Sequence, residues 1–347
     1  MKNEDRSFFI VIRDFLTVYL LKQRCTSVNT IKSYRDTLNL YIDFMTHEKQ
    51  VPINNISFMD CTHQNITDFL DWLQSSRKCG SSTRNQRMFA LKSFLKYAGT
   101  KYPEWISLRY EFDKVPIQKK EHKLIDFISE DALQAILKQP DTNTKCGIRN
   151  LCFMVLMYDT AARDREMLDL TVGSLHLNQK HPVIHIIGKG GRARIVPIMD
   201  KTVEHLNNYL SIFHPPANRR NEDFLFYTVS HGQRHQMSDD NVARFMAKYA
   251  TLARERCVNV PEKVHPHLFR HARAIHLYRS GMPLPLLSEF MGHASIQTTT
   301  IYAYSDTEMK RSAIEKVTAE NAIPRPENDL PAWQNDEELI KRLYGLR

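Results

Sequence analysis

Apolar residues recur every three or four positions through most of this chain, a pattern that commits it to helices, each packed by a single stripe. Phe8, Val11, Phe15, Tyr19 and Leu20 make the first stripe, and Ile31, Tyr34, Leu38, Ile42 and Met45 the second. Asn29-Thr30 supply N-cap residue types ahead of the second helix, and Thr62 does so for a third, shorter one that turns Ile66, Phe69, Leu70 and Leu73 inward. A fourth starts after Gly80-Ser81-Ser82, buries Met88, Leu91, Leu95 and Ala98, and is expected to carry Arg84, Arg87, Lys92 and Lys96 on its other face. The period breaks over residues 114–123, a lysine-rich run with one proline, and a domain boundary is expected there.

Beyond that boundary the pattern predicts helices over Ser129–Lys138, Ile148–Asp159, Thr202–Phe213, Asp240–Glu255, His267–Arg279 and Leu284–Met291, and a final one after Asp306. Between them lies one strand pair, Val183–Gly188 and Ala193–Pro197, joined across Lys189-Gly190-Gly191, whose glycines permit the positive φ of a tight hairpin. The expected fold class is therefore mainly α with a small β-sheet (α+β). The 347 residues suit about two domains at roughly 150 residues each. We assign residues 1–113 to a helical N-terminal domain, 114–124 to a basic linker, 125–322 to a second domain and 323–347 to a tail. In that tail Pro324-Arg325-Pro326 reads as linker, and Leu339, Ile340, Leu343 and Tyr344 line one side of a short helix. A helix that short is marginal alone, so its apolar side is expected to dock on something.

The longest apolar stretch, Leu151 to Tyr158, is far short of the ~20 residues a bilayer requires, and no signal peptide is read at the start. Six scattered cysteines without a CxxC pair fit a reducing cytosol, and a cytoplasmic protein is expected. Lys plus Arg number 48 against 39 Asp plus Glu, a net charge of +9 that invites a polyanion without requiring one.

Three local patterns carry chemistry. Thr160-Ala161-Ala162-Arg163-Asp164-Arg165-Glu166 ends a helix in small residues before an arginine, which elsewhere is most often a surface ion-pair partner. The hairpin Gly188-Lys189-Gly190-Gly191-Arg192-Ala193-Arg194 presents a lysine between glycines, but it is not a Walker motif and no nucleotide site is expected. The third is His265-Pro266-His267-Leu268-Phe269-Arg270-His271, followed by Gly292-His293 and by Thr300-Ile301-Tyr302. His267 and His271 share a helix face, yet Leu268 stands where an HExxH metalloprotease needs glutamate, so no metal site is expected. Together these groups suit attack on a phosphodiester. Arginine forks hold the non-bridging oxygens, tyrosine supplies a nucleophile, and lysine can protonate the departing oxygen, so neither metal nor ATP is required and no cofactor is expected.

Arg163, Lys189, the HxxR of His267 and Arg270, Gly292-His293 and Tyr302, nine residues past that histidine, resemble the tyrosine recombinase (phage integrase) family in order and spacing over roughly residues 150 to 310. The helical N-terminal part with TIKSYRDTL looks like the family's SAM-like core-binding domain. The resemblance implies a site-specific recombinase of the integrase or transposase type. Tyr302 would form a 3′-phosphotyrosine link, Arg163 and Arg270 would clamp the phosphate, His267 and His293 would assist, Lys189 would be the general acid, and Glu166 would support them from behind. It further implies duplex DNA with inverted half-sites, closure of two domains around it, a Holliday junction, and a homotetramer joined through the C-terminal helix. Phosphate contacts are expected from Arg84, Arg87, Lys92, Lys96, Lys119, Lys120, Arg192 and Arg194. No separate arm-binding domain is read, since the first helix begins near Phe8, and a mobile element is the expected setting.

Departures are small: Ala161 and Met291 stand where the family often has Gly and Leu, and Tyr304 follows Tyr302 closely. Spacing from His293 favours Tyr302 as nucleophile, leaving Tyr304 to pack or to touch DNA. A type IB topoisomerase shares the tyrosine, arginine and lysine logic, but the HxxR and GH spacing and the compact two-domain layout favour recombination. A catalytically silent DNA-binding regulator would be under no chemical demand to keep all six groups.

Overall fold

The computed structural model describes residues 5–119, 127–188, 190–305, 311 and 336–346. The chain divides into two compact units, 1–123 and 124–347. Among the described residues no helix is long and apolar enough to cross a membrane.

The first unit is built from α1 (Asp5–Asp14), α2 (Val28–His47), α3 (His63–Ser75), α4 (Ser81–Lys101) and α5 (Ile106–Asp113). Ser27 and Thr62 accept bonds from the backbone N–H groups of Thr30 and Asn65, so hydroxyls start α2 and α3. The first stripe does not stay α-helical: Phe15–Gln23 winds as a π-helix, burying Phe15, Leu16 and Leu20. Phe8, Phe15, Phe58 and Phe94 form the centre, with Phe8 edge-on to Phe58 and to Phe94 at 5.1 and 5.9 Å. Helix α5 was not expected, because its eight residues carry one buried side chain, Phe112, and so show no stripe. The basic run that follows starts packed rather than exposed. Val115 is buried, and Gln118 exchanges backbone and side-chain bonds with Asn85 at 2.8 and 3.1 Å.

The second unit contains α6 (Glu130–Leu137), α7 (Lys145–Thr160), α8 (Asp164–Leu168), β1 (Leu175–His176), β2 (Val183–Ile187), β3 (Ala193–Pro197), α9 (Asp200–Phe213), β4 (Tyr227–Ser230), β5 (Gln233–Gln236), α10 (Asp239–Arg254), α11 (Pro266–Arg279), α12 (Leu284–Met291), α13 (Thr300–Ser305) and α14 (Glu337–Leu343). The order β1-β2-β3 is antiparallel throughout, with Ile186 opposite Arg194 and Ile187 opposite Ala193. A separate β4-β5 hairpin was not expected, since its outward residues are polar and mask the alternation. Cys152, Phe153, Leu156 and Met157 of α7 form the middle of the core, and Ile184, Ile186 and Val196 close it from the sheet. A smaller cluster gathers Ala161, Ala274, Ile275, Leu287, Met291 and Tyr302. The expected helix after Asp306, the linker around Pro324 and the side chain of Tyr304 lie outside the described residues.

Candidate active site

Two helices end in left-handed residues, and both ends face arginines. Helix α7 stops at Ala161, φ +48°, and α12 at Gly292, φ +63°. Arg270, projecting from α11 and 4% exposed, donates through Nη1 to the Ala161 carbonyl and through Nη2 to the Met291 carbonyl at 2.5 Å. Arg163 donates through Nη2 to the Gly292 carbonyl at 3.2 Å. Helix C-termini are the negative ends of the backbone dipole, so they are natural anchors for guanidinium groups. Burial, and after it the charge of Arg163, lowers Arg270 to about 10, which leaves it cationic at neutral pH. Each Nη carries two hydrogens and these bonds take one, so the paired arginines keep donors for an oxyanion.

Behind the clamp, Glu166 joins α8 to β3. Its carboxylate accepts from the Arg163 backbone N–H at 2.9 Å, from Arg163 Nη1 at 2.7 Å and from Arg194 Nη2 at 2.7 Å. Burial alone would raise Glu166, but the bonds from Arg194 and Arg163 outweigh it and hold the group at about 2. The deeper support is Asp159, which accepts from Met199 N–H, the Thr202 hydroxyl and Arg273, tying the end of α7 to α9 and α11.

Arg194 corrects an expectation. The resemblance puts it among the DNA-contacting residues of the hairpin, yet strand alternation turns it inward beside Val196, and its side chain is 12% exposed. Its guanidinium lies so close to Gly292 that a Cβ there would fall 2.9 Å from Nη1. Gly292→Ala meets both this contact and a positive φ. It should cost about 1–2 kcal/mol, a Tm fall of roughly 2–8 °C by thermal denaturation, together with slower DNA cleavage as Arg194 is displaced; an unchanged Tm would refute the close approach.

Tyr302 of α13 is 1% exposed, and its hydroxyl lies 2.9 Å from Nδ1 of His271. Burial pushes its phenol up to about 12, against the downward pull of Arg270 and Arg163. His293 Nδ1 lies 2.8 Å from the Thr299 hydroxyl, which aims the ring. Burial, then the charges of Arg270 and Arg163, lowers His293 to about 4, so it is neutral near pH 7. His267 is the exposed residue in the first turn of α11, its pKa lowered by desolvation and then by His265, Arg270 and Arg163. Thus Arg163, Glu166, Arg270, His293 and Tyr302 come together from distant parts of the chain. Lys189 lies outside the described residues; its neighbours Gly190 and Gly191 take φ of +79° and +74° at the hairpin tip. Among the described residues no group of three or more His, Cys, Asp or Glu side chains converges as a metal site requires.

The basic face expected on α4 is largely engaged. Arg84 is buried rather than solvated, with Nη1 3.5 Å from the Pro116 carbonyl, because it lies four residues before Met88 on the apolar stripe. Arg87 donates to the Ser33 carbonyl and the Thr37 hydroxyl, and Lys92 pairs with Asp113 at 3.5 Å. Lys96, Lys119 and Arg192 are exposed, and Lys120 lies outside the described residues.

The sequence pattern of the family described as "Phage integrase family" matches residues 126–309, and that of "Phage integrase, N-terminal SAM-like domain" matches residues 12–101. A tyrosine recombinase XerD of Oceanobacillus iheyensis is 31% identical over 296 residues, 84% of this chain and 93% of the relative. A putative integrase/recombinase y4rC of Sinorhizobium fredii is 26% identical over 329 residues, 94% and 97% of the two chains. Among solved structures, the Tn1549 transposon integrase in complex with transposon right end DNA superposes with a TM-score of 0.67 at 14% identity, over 89% of this chain and 99% of the other. The XerH site-specific recombinase bound to palindromic difH substrate superposes at 0.65 and 21% identity, over 84% and 80%. At these identities the two structures establish a shared fold.

Proposed function

The chain belongs to the phage integrase family, the tyrosine recombinases, and from that membership we propose how its own residues cut and rejoin DNA. It is a site-specific DNA recombinase. The observation that carries the residue assignment is the paired arginine clamp, Arg163 and Arg270, anchored on the ends of α7 and α12 next to His293 and Tyr302.

In cleavage, Arg163 and Arg270 hold the non-bridging oxygens of the scissile phosphate and stabilise the charge that grows on them. The Tyr302 oxygen attacks phosphorus, the bond to the 5′-oxygen breaks, and a 3′-phosphotyrosine link forms. Lys189 protonates the departing 5′-oxygen, while His267 and His293 donate hydrogen bonds to the phosphate. Rejoining is the reverse attack by a 5′-hydroxyl of the partner strand, which conserves the phosphoester energy and proceeds through a Holliday junction. We assign residues 1–113 to core binding, 114–124 to the basic linker, 125–322 to catalysis and 323–347 to the docking tail. Lys96, Lys119, Lys120 and Arg192 contact the DNA backbone, so affinity should fall steeply with salt. The decisive experiment is incubation with a nicked suicide duplex taken from the DNA flanking the protein's own coding sequence. A covalent protein–DNA adduct formed without Mg²⁺ or ATP supports the reading, and an adduct that requires Mg²⁺ contradicts it.

The proposed assembly is a homotetramer on inverted half-sites, joined through α14. Leu343 and Tyr344 are 65% and 71% exposed, an apolar edge suited to a neighbouring protomer. Deleting residues 336–347 should leave binding to a single half-site intact and abolish the higher-order complex and strand exchange in native gels. Unchanged assembly would rule out this role for the tail.

A further inference from the structure

Cleavage leaves the Tyr302 proton without a destination, and of the two histidines of the HPHLFRH run that have no task in it, His265 and His271, one reaches the phenol. That residue is His271, whose Nδ1 is 2.9 Å from the Tyr302 hydroxyl, with the two rings 5.7 Å apart. His271 follows Arg270 on α11, so consecutive residues serve different atoms. Arg270 turns to the ends of α7 and α12, and His271 turns to α13. Two other bases nearby are committed. Glu166 already accepts three bonds from Arg163 and Arg194, and His293 Nδ1 faces Thr299.

Resting on the assignment of Tyr302 as nucleophile, we propose that His271 is a further catalytic residue, the acceptor of the Tyr302 phenol proton in cleavage and its donor in rejoining. In cleavage the Tyr302 O–H bond breaks and its proton passes to His271 Nδ1. The phenol oxygen bonds phosphorus, the bond from phosphorus to the 5′-oxygen breaks, and that oxygen takes a proton from Lys189. Rejoining returns both protons. The protonation states before reaction suit the transfer. Burial, then His267, Arg270 and His265, lowers His271 to about 4, so its imidazole is unprotonated near neutral pH, while the buried phenol keeps its proton. Nδ1 accepts when the ring hydrogen is on Nε2. The groups facing His271 are His265, His267 and Arg270 on or beside its own helix, Tyr302 on α13, and His293 after α12. The scissile phosphate brings negative charge beside Arg270, and that stabilises the imidazolium as it forms.

The test is single-turnover cleavage of the nicked suicide duplex by wild type, His271→Ala, His271→Gln and Tyr302→Phe. His271→Ala should cleave roughly 10²–10³-fold more slowly, with a rate that rises with pH between about 7 and 9 as hydroxide takes over removal of the buried phenol's proton, and with partial rescue by added imidazole. His271→Gln keeps a hydrogen-bond acceptor without basicity and should be equally slow. A duplex whose leaving oxygen is replaced by sulfur needs no proton at that atom; it should restore Lys189→Ala and leave His271→Gln slow. Either His271 variant cleaving within threefold of wild type, or a slow His271→Ala with neither pH slope nor imidazole rescue, would overturn the proposal. If instead wild type forms no adduct, or Tyr302→Phe forms one, it is the assignment of the nucleophile that fails.

Discussion

Tyr302→Phe should abolish the covalent protein–DNA adduct, lowering cleavage by at least ~10⁴-fold, while Tyr304→Phe still forms it. Removal of a nucleophile's only reacting atom leaves no chemical route, whereas loss of a supporting group leaves a slower one. The substitution is also clean. Tyr302 is 1% exposed among Ala161, Ala274, Leu287 and Met291, and phenylalanine fills the same volume. What disappears is the hydroxyl and its bond to His271, worth about 1 kcal/mol net. Thermal denaturation should therefore show a small shift, gel retardation an unchanged affinity for the duplex, and denaturing gels no protein-linked DNA. An adduct lost in Tyr304→Phe and kept in Tyr302→Phe would move the nucleophile to the other tyrosine.

The fold is legible in the sequence where one period dominates. The stripes of α2, α3 and α4 and the glycine-centred hairpin are strong local signals, and the structure has these elements with ends displaced by only a few residues. Elements whose burial comes from elsewhere leave no such signal. Helix α5 buries only Phe112, and Phe15–Gln23 changes winding inside an unbroken apolar stripe, which no spacing of residue types records. Two arginines were legible in principle. Arg84 is in step with Met88, Leu91 and Leu95, and Arg194 is in step with Val196, so the period turns both inward despite their charge. The contacts between Arg270 and two backbone carbonyls, by contrast, depend on two left-handed helix ends meeting in space, and at Ala161 no glycine advertises the turn.

Glu166→Ala carries the largest expected effect on stability. It removes the one carboxylate bridging Arg163 and Arg194, and Arg194 is then left buried with no counter-charge among its described partners. Breaking a buried ion pair from one side costs about 3–5 kcal/mol, roughly 6–20 °C in Tm for a unit of this size. Cleavage should fall further, on the order of 10²-fold or more, because Arg163 loses the partner that fixes its guanidinium and small misplacements of a phosphate clamp are expensive. The effect has a defined pH dependence. Glu166 is held at about 2, below its ordinary value of 4.5, so its contribution is present in full above pH 4.5 and is lost as pH falls towards 2. Asp164 has the opposite sign: burial and the neighbouring Asp239 raise it to about 7, so it stabilises the protonated, more acidic side. Measured as the difference between wild type and Glu166→Ala, the Asp164 contribution largely cancels, and the gap in urea-unfolding free energy should be widest at pH 6–7 and narrow progressively below pH 4.5. Glu166→Gln, which keeps the shape and one acceptor, should fall between the two. A gap under about 1 kcal/mol at pH 7, or one that stays constant down to pH 3, would mean that Arg194 and Arg163 are held by other groups and that the bridge from β3 to α8 is not what fixes the clamp.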